Sequence, residues 1–110
     1  MTAAEVFTEV RGAISDETSA RWADSILFRY AFAGELEIVR RHPESQYLVS
    51  VTNSMPVLLS NTASNFTIGQ TFRTALVHYI AYRVFQEDME DANNQRAALD
   101  HFKLFQEAMA

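Results

Sequence analysis

The sequence predicts an all-α domain, a compact bundle of about four helices with an extended or β-hairpin-like excursion between the second and third. Apolar residues recur at helical spacing along four stretches. Glycine (3) and proline (2) are scarce among the 110 residues, whereas a β-sandwich or barrel needs many tight turns. A chain of this length supports one hydrophobic core. We therefore expect a single domain over residues 1–110, with the excursion at 44–70.

The first helix is predicted over residues 3–15. Val6, Val10 and Ile14 recur at four-residue spacing and form one apolar stripe, with Phe7 beside it. The polar run that follows, residues 15–19, is typical of a turn and indicates where the helix ends.

The second helix is predicted over residues 25–41. Trp22, the only tryptophan, is expected to pack where helices one and two meet, and Asp24 is expected to cap the second helix. Pro43 indicates the end of the helix. Gly34 inside a helix costs about 1 kcal/mol relative to alanine, so we expect another backbone to approach closely at this point.

The excursion at 44–70 combines a β-rich stretch from Tyr47 to Thr52 with a short apolar run from Met55 to Leu59. A small polar stretch, residues 60–65, follows. A long segment with little regular structure is usually functional or mobile. We therefore expect it to form a surface that contacts a partner.

The third helix, predicted at 71–89, is apolar around most of its circumference, so it is expected to be the central helix or to face a neighbouring subunit. The fourth is predicted over residues 92–109. The apolar face of the fourth helix contains Ala98, Phe102, Phe105 and Met109, with Leu99 beside it. One small core cannot easily bury all the aromatic residues of these two helices, which favours association with other chains.

Residues that could carry catalysis or bind metal form no recognised pattern. His42, His78 and His101 lie in separate segments, without a second ligand at metal-binding spacing. The acidic run at 87–91 lacks the alternating ligands and the glycine of a calcium loop. There is no phosphate loop, dinucleotide fingerprint or nucleophile elbow. We therefore expect no enzymatic activity, no metal and no cofactor.

Charge and composition exclude other classes of protein. The net charge is −5 and the basic residues are scattered, so specific DNA binding is not expected. The chain has no cysteine, which rules out a disulfide scaffold. No apolar run approaches the length of a transmembrane helix, so we expect no membrane association.

Four blocks of sequence, in this order and spacing, carry a family resemblance. They are Arg21-Trp22-Ala23-Asp24, then Glu37-Ile38-Val39 running to Pro43, then Ala75-Leu76-Val77 running to Tyr82-Arg83, and finally Asn93 to Arg96 with His101 to Phe105. The chain resembles the small helical head–tail connector, or adaptor, proteins of tailed bacteriophages. Ala23 stands where that family usually has a serine or threonine.

The resemblance implies a structural virion protein, present at the head–tail junction and in the host cytoplasm during assembly. Such proteins form a ring of about twelve copies beneath the portal, extend the DNA channel without binding DNA specifically, and provide the attachment surface for the tail. The expected portal contacts are Leu99, Phe102, Phe105 and Met109. The expected tail, channel or subunit contacts are Tyr47, Val49, Val51, Met55 and Leu58. The alternative is a small helical regulatory protein of a phage or bacterium that sequesters one partner through the same apolar surfaces.

Overall fold

A computed structural model describes residues 1–16, 21–46, 55–87 and 92–110. These ranges contain four α-helices and two short 3₁₀ turns. The helices are α1 (Ala3–Ile14), α2 (Asp24–Arg41), α3 (Arg73–Glu87) and α4 (Ala92–Met109), and the turns are Pro43–Gln46 and Gln70–Phe72. No strand occurs in the four described ranges. The predicted all-α bundle is confirmed, and the β-rich stretch from Tyr47 to Thr52 lies outside the described residues.

The third helix is central, as predicted, because α1, α2 and α4 all pack against α3. Arg73 at the start of α3 forms an ion pair with Glu9 of α1 at 2.6 Å. At the other end, Val84 and Ile14 line the same small cavity. Helices α1 and α3 are therefore parallel.

Helix α2 crosses α3 in the opposite direction, with Gly34 at the crossing. A Cβ atom at Gly34 would lie 2.8 Å from Cδ1 of Tyr79 and 2.9 Å from Cδ1 of Leu76. A helix therefore crosses at Gly34, but the expected close approach of another backbone was wrong, because side chains of α3 occupy the space. Beyond the crossing, the rings of His42 and Phe72 lie 5.6 Å apart.

Helix α4 runs antiparallel to α3, and aromatic rings join the two helices. The ring centroids of Tyr82 and Phe102 are 4.9 Å apart, and those of Tyr79 and Phe105 are 5.3 Å apart. Contacts of this kind are worth about 1 kcal/mol beyond the apolar area that they bury. They fix the register of α4 along α3.

Residues 61–68, which we call the return segment, lie against the start of α1. The carbonyl oxygens of Ser64 and Thr62 accept hydrogen bonds from the backbone N–H groups of Ala3 (3.0 Å) and Ala4 (2.8 Å). The first N–H groups of a helix have no partner within the helix. The return segment therefore satisfies donors that α1 cannot satisfy itself.

The apolar side chains of the return segment belong to the core. Phe66 is 2% exposed and Ile68 is fully buried, and the ring of Phe66 lies 6.5 Å from that of Phe7. The excursion was predicted to form a surface that contacts a partner, through five residues that all precede the return segment. The return segment itself contributes Phe66 and Ile68 to the core of the bundle.

The junction between α1 and α2 depends on Arg11, a buried cation. Its guanidinium contacts the carboxylates of Asp16 (3.0 Å) and Asp24 (2.5 Å) and donates to the backbone carbonyl of Trp22 (2.8 Å). Asp24 is the first residue of α2, and Ala23 occupies the cap position without a side-chain bond. The prediction that Asp24 caps α2 was wrong, because Arg11 binds its carboxylate.

Candidate functional site

Two adjoining cavities form a groove between α3 and α4, which we call the α3–α4 groove. One cavity, of about 330 Å³, is lined by Ala98, Leu99 and Gln95. The other, of about 240 Å³, extends to α2. Both are also lined by Tyr82, Gln86 and Phe102. The shared walls make the groove one continuous surface.

The end of the groove near α2 is cationic and aromatic. Arg41 lies 5.5 Å from the ring centroid of Phe105. Arg83 lies 5.0 Å from that of Tyr30 and donates a 3.0 Å hydrogen bond to the hydroxyl of Tyr79. A guanidinium over an aromatic ring keeps its N–H groups at its edge, where they can bond a planar anion. Arg41 already bonds Glu37 through Nε and Arg83 bonds Tyr79 through Nη1, which leaves their other N–H groups for such an anion.

The four residues expected at a portal interface differ in accessibility. Leu99 is 70% exposed, whereas Phe105 is fully buried and Met109 is 5% exposed. Phe102 is half-buried and lines the groove. Because Phe105 and Met109 belong to the core of this chain, Leu99 and Phe102 supply the area that a partner could cover.

A second apolar surface, the Leu58 surface, lies beside α2. Val57 and Leu58 are 59% and 56% exposed, and Met55 is 62% exposed. Leu58 lines a cavity of about 260 Å³ together with Phe28 and Arg29 of α2. Two of the five residues expected to contact the tail, the channel or a subunit, Met55 and Leu58, are thus exposed. The other three, Tyr47, Val49 and Val51, lie outside the described residues.

Trp22 and Asp24, the expected structural anchors, lie at the α1–α2 junction. Trp22 is half-buried and packs against the core. Its backbone N–H donates to Asp16 at 2.9 Å. Sequence reasoning did not identify Arg11, although its place four residues after Phe7 puts a charge beside an apolar stripe.

Two histidines that are far apart in the sequence meet between α3 and α4. Nδ1 of His78 and Nδ1 of His101 are 3.0 Å apart, and the ring of Phe85 stacks on His101 at an angle of 11°. One ring donates its Nδ1 proton and the other accepts it, so the hydrogen bond requires at least one of the two rings to be neutral. Burial lowers the pKa of both, and for His101 the neighbouring His78 lowers it further while Asp100 opposes the shift.

Glu35 is an acidic group in the core. It is 1% exposed, and its Oε2 accepts a hydrogen bond from the backbone N–H of Thr67 at 3.1 Å. Burial raises the pKa of Glu35 to about 7, against the hydrogen bonds from Thr67 and Ile68 that favour the charged form. Its position four residues after Ala31 and three before Ile38, both buried, is the signal in the sequence that could have identified it.

His42 connects the ends of α2 and α4. Its Nε2 lies 2.6 Å from the carbonyl oxygen of Met109, and its Nδ1 lies 2.8 Å from the carboxylate of Glu44. A protonated imidazole donates to both acceptors, so these two bonds raise the pKa of His42. The contact holds the end of α4 in the bundle.

Each of these titratable groups has a hydrogen-bond partner within the fold. Within the described residues, no three histidine or acidic side chains gather into a potential metal site. No helix in the same part of the chain is both long enough and apolar enough to cross a membrane. A cavity of about 500 Å³ beside α1 is lined by Thr8, Arg11 and Asp24 among others. Among the cavities of the described residues, the α3–α4 groove and the Leu58 surface are the ones lined by an exposed large apolar side chain, Leu99 and Leu58.

No protein-family model matches this chain, and comparisons with curated proteins and with solved structures give no match either. The case for a function therefore rests on these two surfaces and on the four sequence blocks.

Proposed function

We propose that the chain is a head–tail connector subunit of a tailed phage. In this role it forms a ring beneath the portal, extends the DNA channel and provides a surface for tail attachment. The observation that carries the proposal is the presence of two separate apolar surfaces on one small domain. The α3–α4 groove and the Leu58 surface share no lining residue.

Separate surfaces suit a protein that contacts several partners at once. A connector touches its own copies, the portal and a tail component, and each contact needs its own area. Exposed apolar side chains that lie together on a small domain mark such contacts. We assign the α3–α4 groove to the portal and the Leu58 surface to a neighbouring subunit or the tail.

The four sequence blocks add support. They lie immediately before α2, at its end, in α3 and in α4, which is the order found in the connector family. The net charge of −5 suits a channel wall along which DNA moves without being held.

Co-expression with the portal protein of the same virus tests the proposal. We expect electron microscopy and light scattering to find the chain bound to the portal ring. Leu99→Ser should abolish attachment, and Leu58→Ser should preserve attachment but prevent closure of the connector ring or tail joining. Leu104→Ser is the matched control, because Leu104 is exposed on α4 and lines neither surface.

The proposal fails if the wild-type chain joins no portal ring under any condition. A regulatory protein would instead form a soluble complex with one partner through the groove. Genes for portal and tail proteins beside the gene for this chain would favour the connector.

A further inference from the structure

The α3–α4 groove has two chemically different ends. At one end, Leu99 is 70% exposed next to the buried Ala98. At the other end, Arg41 and Arg83 line the cavity together with a single carboxylate, that of Glu37. A ligand that fits both ends carries an apolar group and a negative charge.

The cations at this end are only partly neutralised. Glu37 is shared, because its Oε1 contacts both Arg40 and Arg41. In the described part of the chain, no carboxylate lies within ion-pair distance of Arg83, which bonds the Tyr79 hydroxyl. Glu87, one turn later on α3, lies near Tyr30: burial raises the pKa of Tyr30, the Glu87 carboxylate raises it further and Arg83 opposes the shift.

We propose that the α3–α4 groove binds a partner segment that places an apolar side chain against Leu99 and Phe102 and a carboxylate against Arg83. This binding mode extends the proposed function. Only the identification of the partner as a virion protein rests on that proposed function. An arginine fork binds a carboxylate through two parallel hydrogen bonds, which adds direction to the contact.

A peptide matches the groove better than a nucleic acid does. The groove is lined along both cavities by Gln86, whose side-chain amide can both donate to and accept from a peptide backbone. Nucleic-acid binding needs a row of cations along the phosphates, whereas the Leu99 end is lined by apolar and amide groups. An apolar groove with a charged end is a common form of peptide recognition.

The test titrates the full-length ¹⁵N-labelled chain with three short synthetic peptides and a thymidine oligonucleotide. The first peptide carries two leucines followed by two glutamates. The second has lysines in place of the glutamates, and the third has serines in place of the leucines. We expect the first peptide alone to bind, with shifts in the amide signals of Tyr82, Leu99 and Phe102.

Variants identify which contacts matter. Arg83→Gln and Leu99→Ser should each weaken binding of the first peptide roughly tenfold. Arg83→Glu should bind the lysine peptide in place of the glutamate peptide. Arg29→Gln and Leu58→Ser are matched controls from the other surface, and both should bind as the wild type does. Circular dichroism and thermal unfolding verify that each variant is folded.

The inference is overturned if the three peptides bind equally, if none binds, or if the oligonucleotide binds at the same residues more tightly. Its failure is distinct from failure of the connector proposal. If no peptide binds but the chain joins the portal ring, the inference alone fails. If the first peptide binds with the expected pattern but the chain joins no portal ring, the groove assignment stands and the connector proposal fails.

Discussion

Residues 55–60 and the return segment, 61–68, follow one another in the chain, but their large apolar side chains differ in exposure. Both lack helix and strand, and both carry large apolar side chains. Val57 and Leu58 are more than half exposed, whereas Phe66 is 2% exposed and Ile68 is fully buried. Local hydrophobicity therefore does not decide which part of an irregular segment enters the core.

The difference follows from what holds the backbone. An irregular chain can be buried only where its N–H and C=O groups find partners. The return segment has such partners at both ends, because its carbonyls accept from Ala3 and Ala4 and the N–H of Thr67 donates to Glu35. Anchoring by hydrogen bonds allows Phe66 and Ile68 to contribute to the core, whereas the side chains of Val57 and Leu58 remain exposed to a partner.

The largest expected effect comes from removing the buried aromatic ring of the return segment. Phe66→Ala should lower the free energy of unfolding by about 3–5 kcal/mol, because it leaves a cavity beside Phe7. Leu58→Ala, the matched control from the exposed part, should cost less than about 1 kcal/mol. Urea unfolding measures both. Equal losses would break the comparison between the two regions.

The second prediction concerns Glu35, which should make stability depend on pH. The folded-state pKa is raised from 4.5 to about 7, so the stability contributed by the protonated carboxyl is complete below pH 4.5. It is lost as pH rises through about 7, by up to about 3 kcal/mol. Glu35→Gln cannot ionise, so it should lack this loss.

Urea unfolding of wild type and Glu35→Gln across this pH range measures the difference. Glu107→Gln is the control, because Glu107 is an exposed carboxylate of α4 outside the core. Hydrogen exchange at Thr67 and Ile68 locates the effect, and exchange there should speed up with pH beyond the intrinsic rate in wild type alone. Parallel pH curves for wild type and Glu35→Gln would contradict the assignment.

The sequence predicted the helices closely, because periodic apolar residues and chain-breaking residues are local signals. Val6, Val10 and Ile14 identified α1, and Pro43 located the end of α2. The prediction that Asp24 caps α2 was wrong because the carboxylate of Asp24 binds Arg11, which is thirteen positions away along the chain. Only the folded chain brings that cation to the junction.

Within the candidate site, Leu99 and Phe102 were predicted and the cationic end was not. Leu99 and Phe102 lie on one helix, so helical periodicity was sufficient to place them together. Arg41 and Arg83 come from different helices and meet Phe102 only through the packing of α2, α3 and α4. The burial of Phe66 could not be predicted from the sequence either, because an irregular segment has no periodic pattern that indicates which side chains are buried.

The third prediction uses the histidine pair to test whether the Glu35 effect is local. Burial lowers the pKa values of His78 and His101 from 6.5, so the neutral pair stabilises the fold above pH 6.5. That stability is lost as pH falls below 6.5 and through the folded-state values. His101→Gln should therefore unfold less readily in acid, relative to its own stability at neutral pH, than wild type does.

The two titrations have opposite signs, and unfolding measured on both sides of pH 6.5 separates them. His101→Gln should leave the pH response of the Thr67 amide unchanged, because that amide is held by Glu35. If His101→Gln altered hydrogen exchange in the return segment, the anchoring described above would not be local. If it left the acid response of unfolding unchanged, the histidine pair would not be the group that titrates.

The smallest expected effect concerns Thr2, whose hydroxyl caps α1 by accepting from the N–H of Glu5 at 3.3 Å. Thr2→Ala should cost about 0.5 kcal/mol, at the low end for a helix cap, because the return segment already binds the neighbouring N–H groups of Ala3 and Ala4.

In the Phe66→Ala background the return segment is less firmly held. The same Thr2→Ala change should then cost about 1 kcal/mol or more, and the two changes should not be additive. The Leu58→Ala background is the control, and there the cost should stay at its wild-type value. Additive costs in both backgrounds would mean that the start of α1 does not depend on the return segment, and the contrast between 55–60 and 61–68 would then be one of side-chain burial alone.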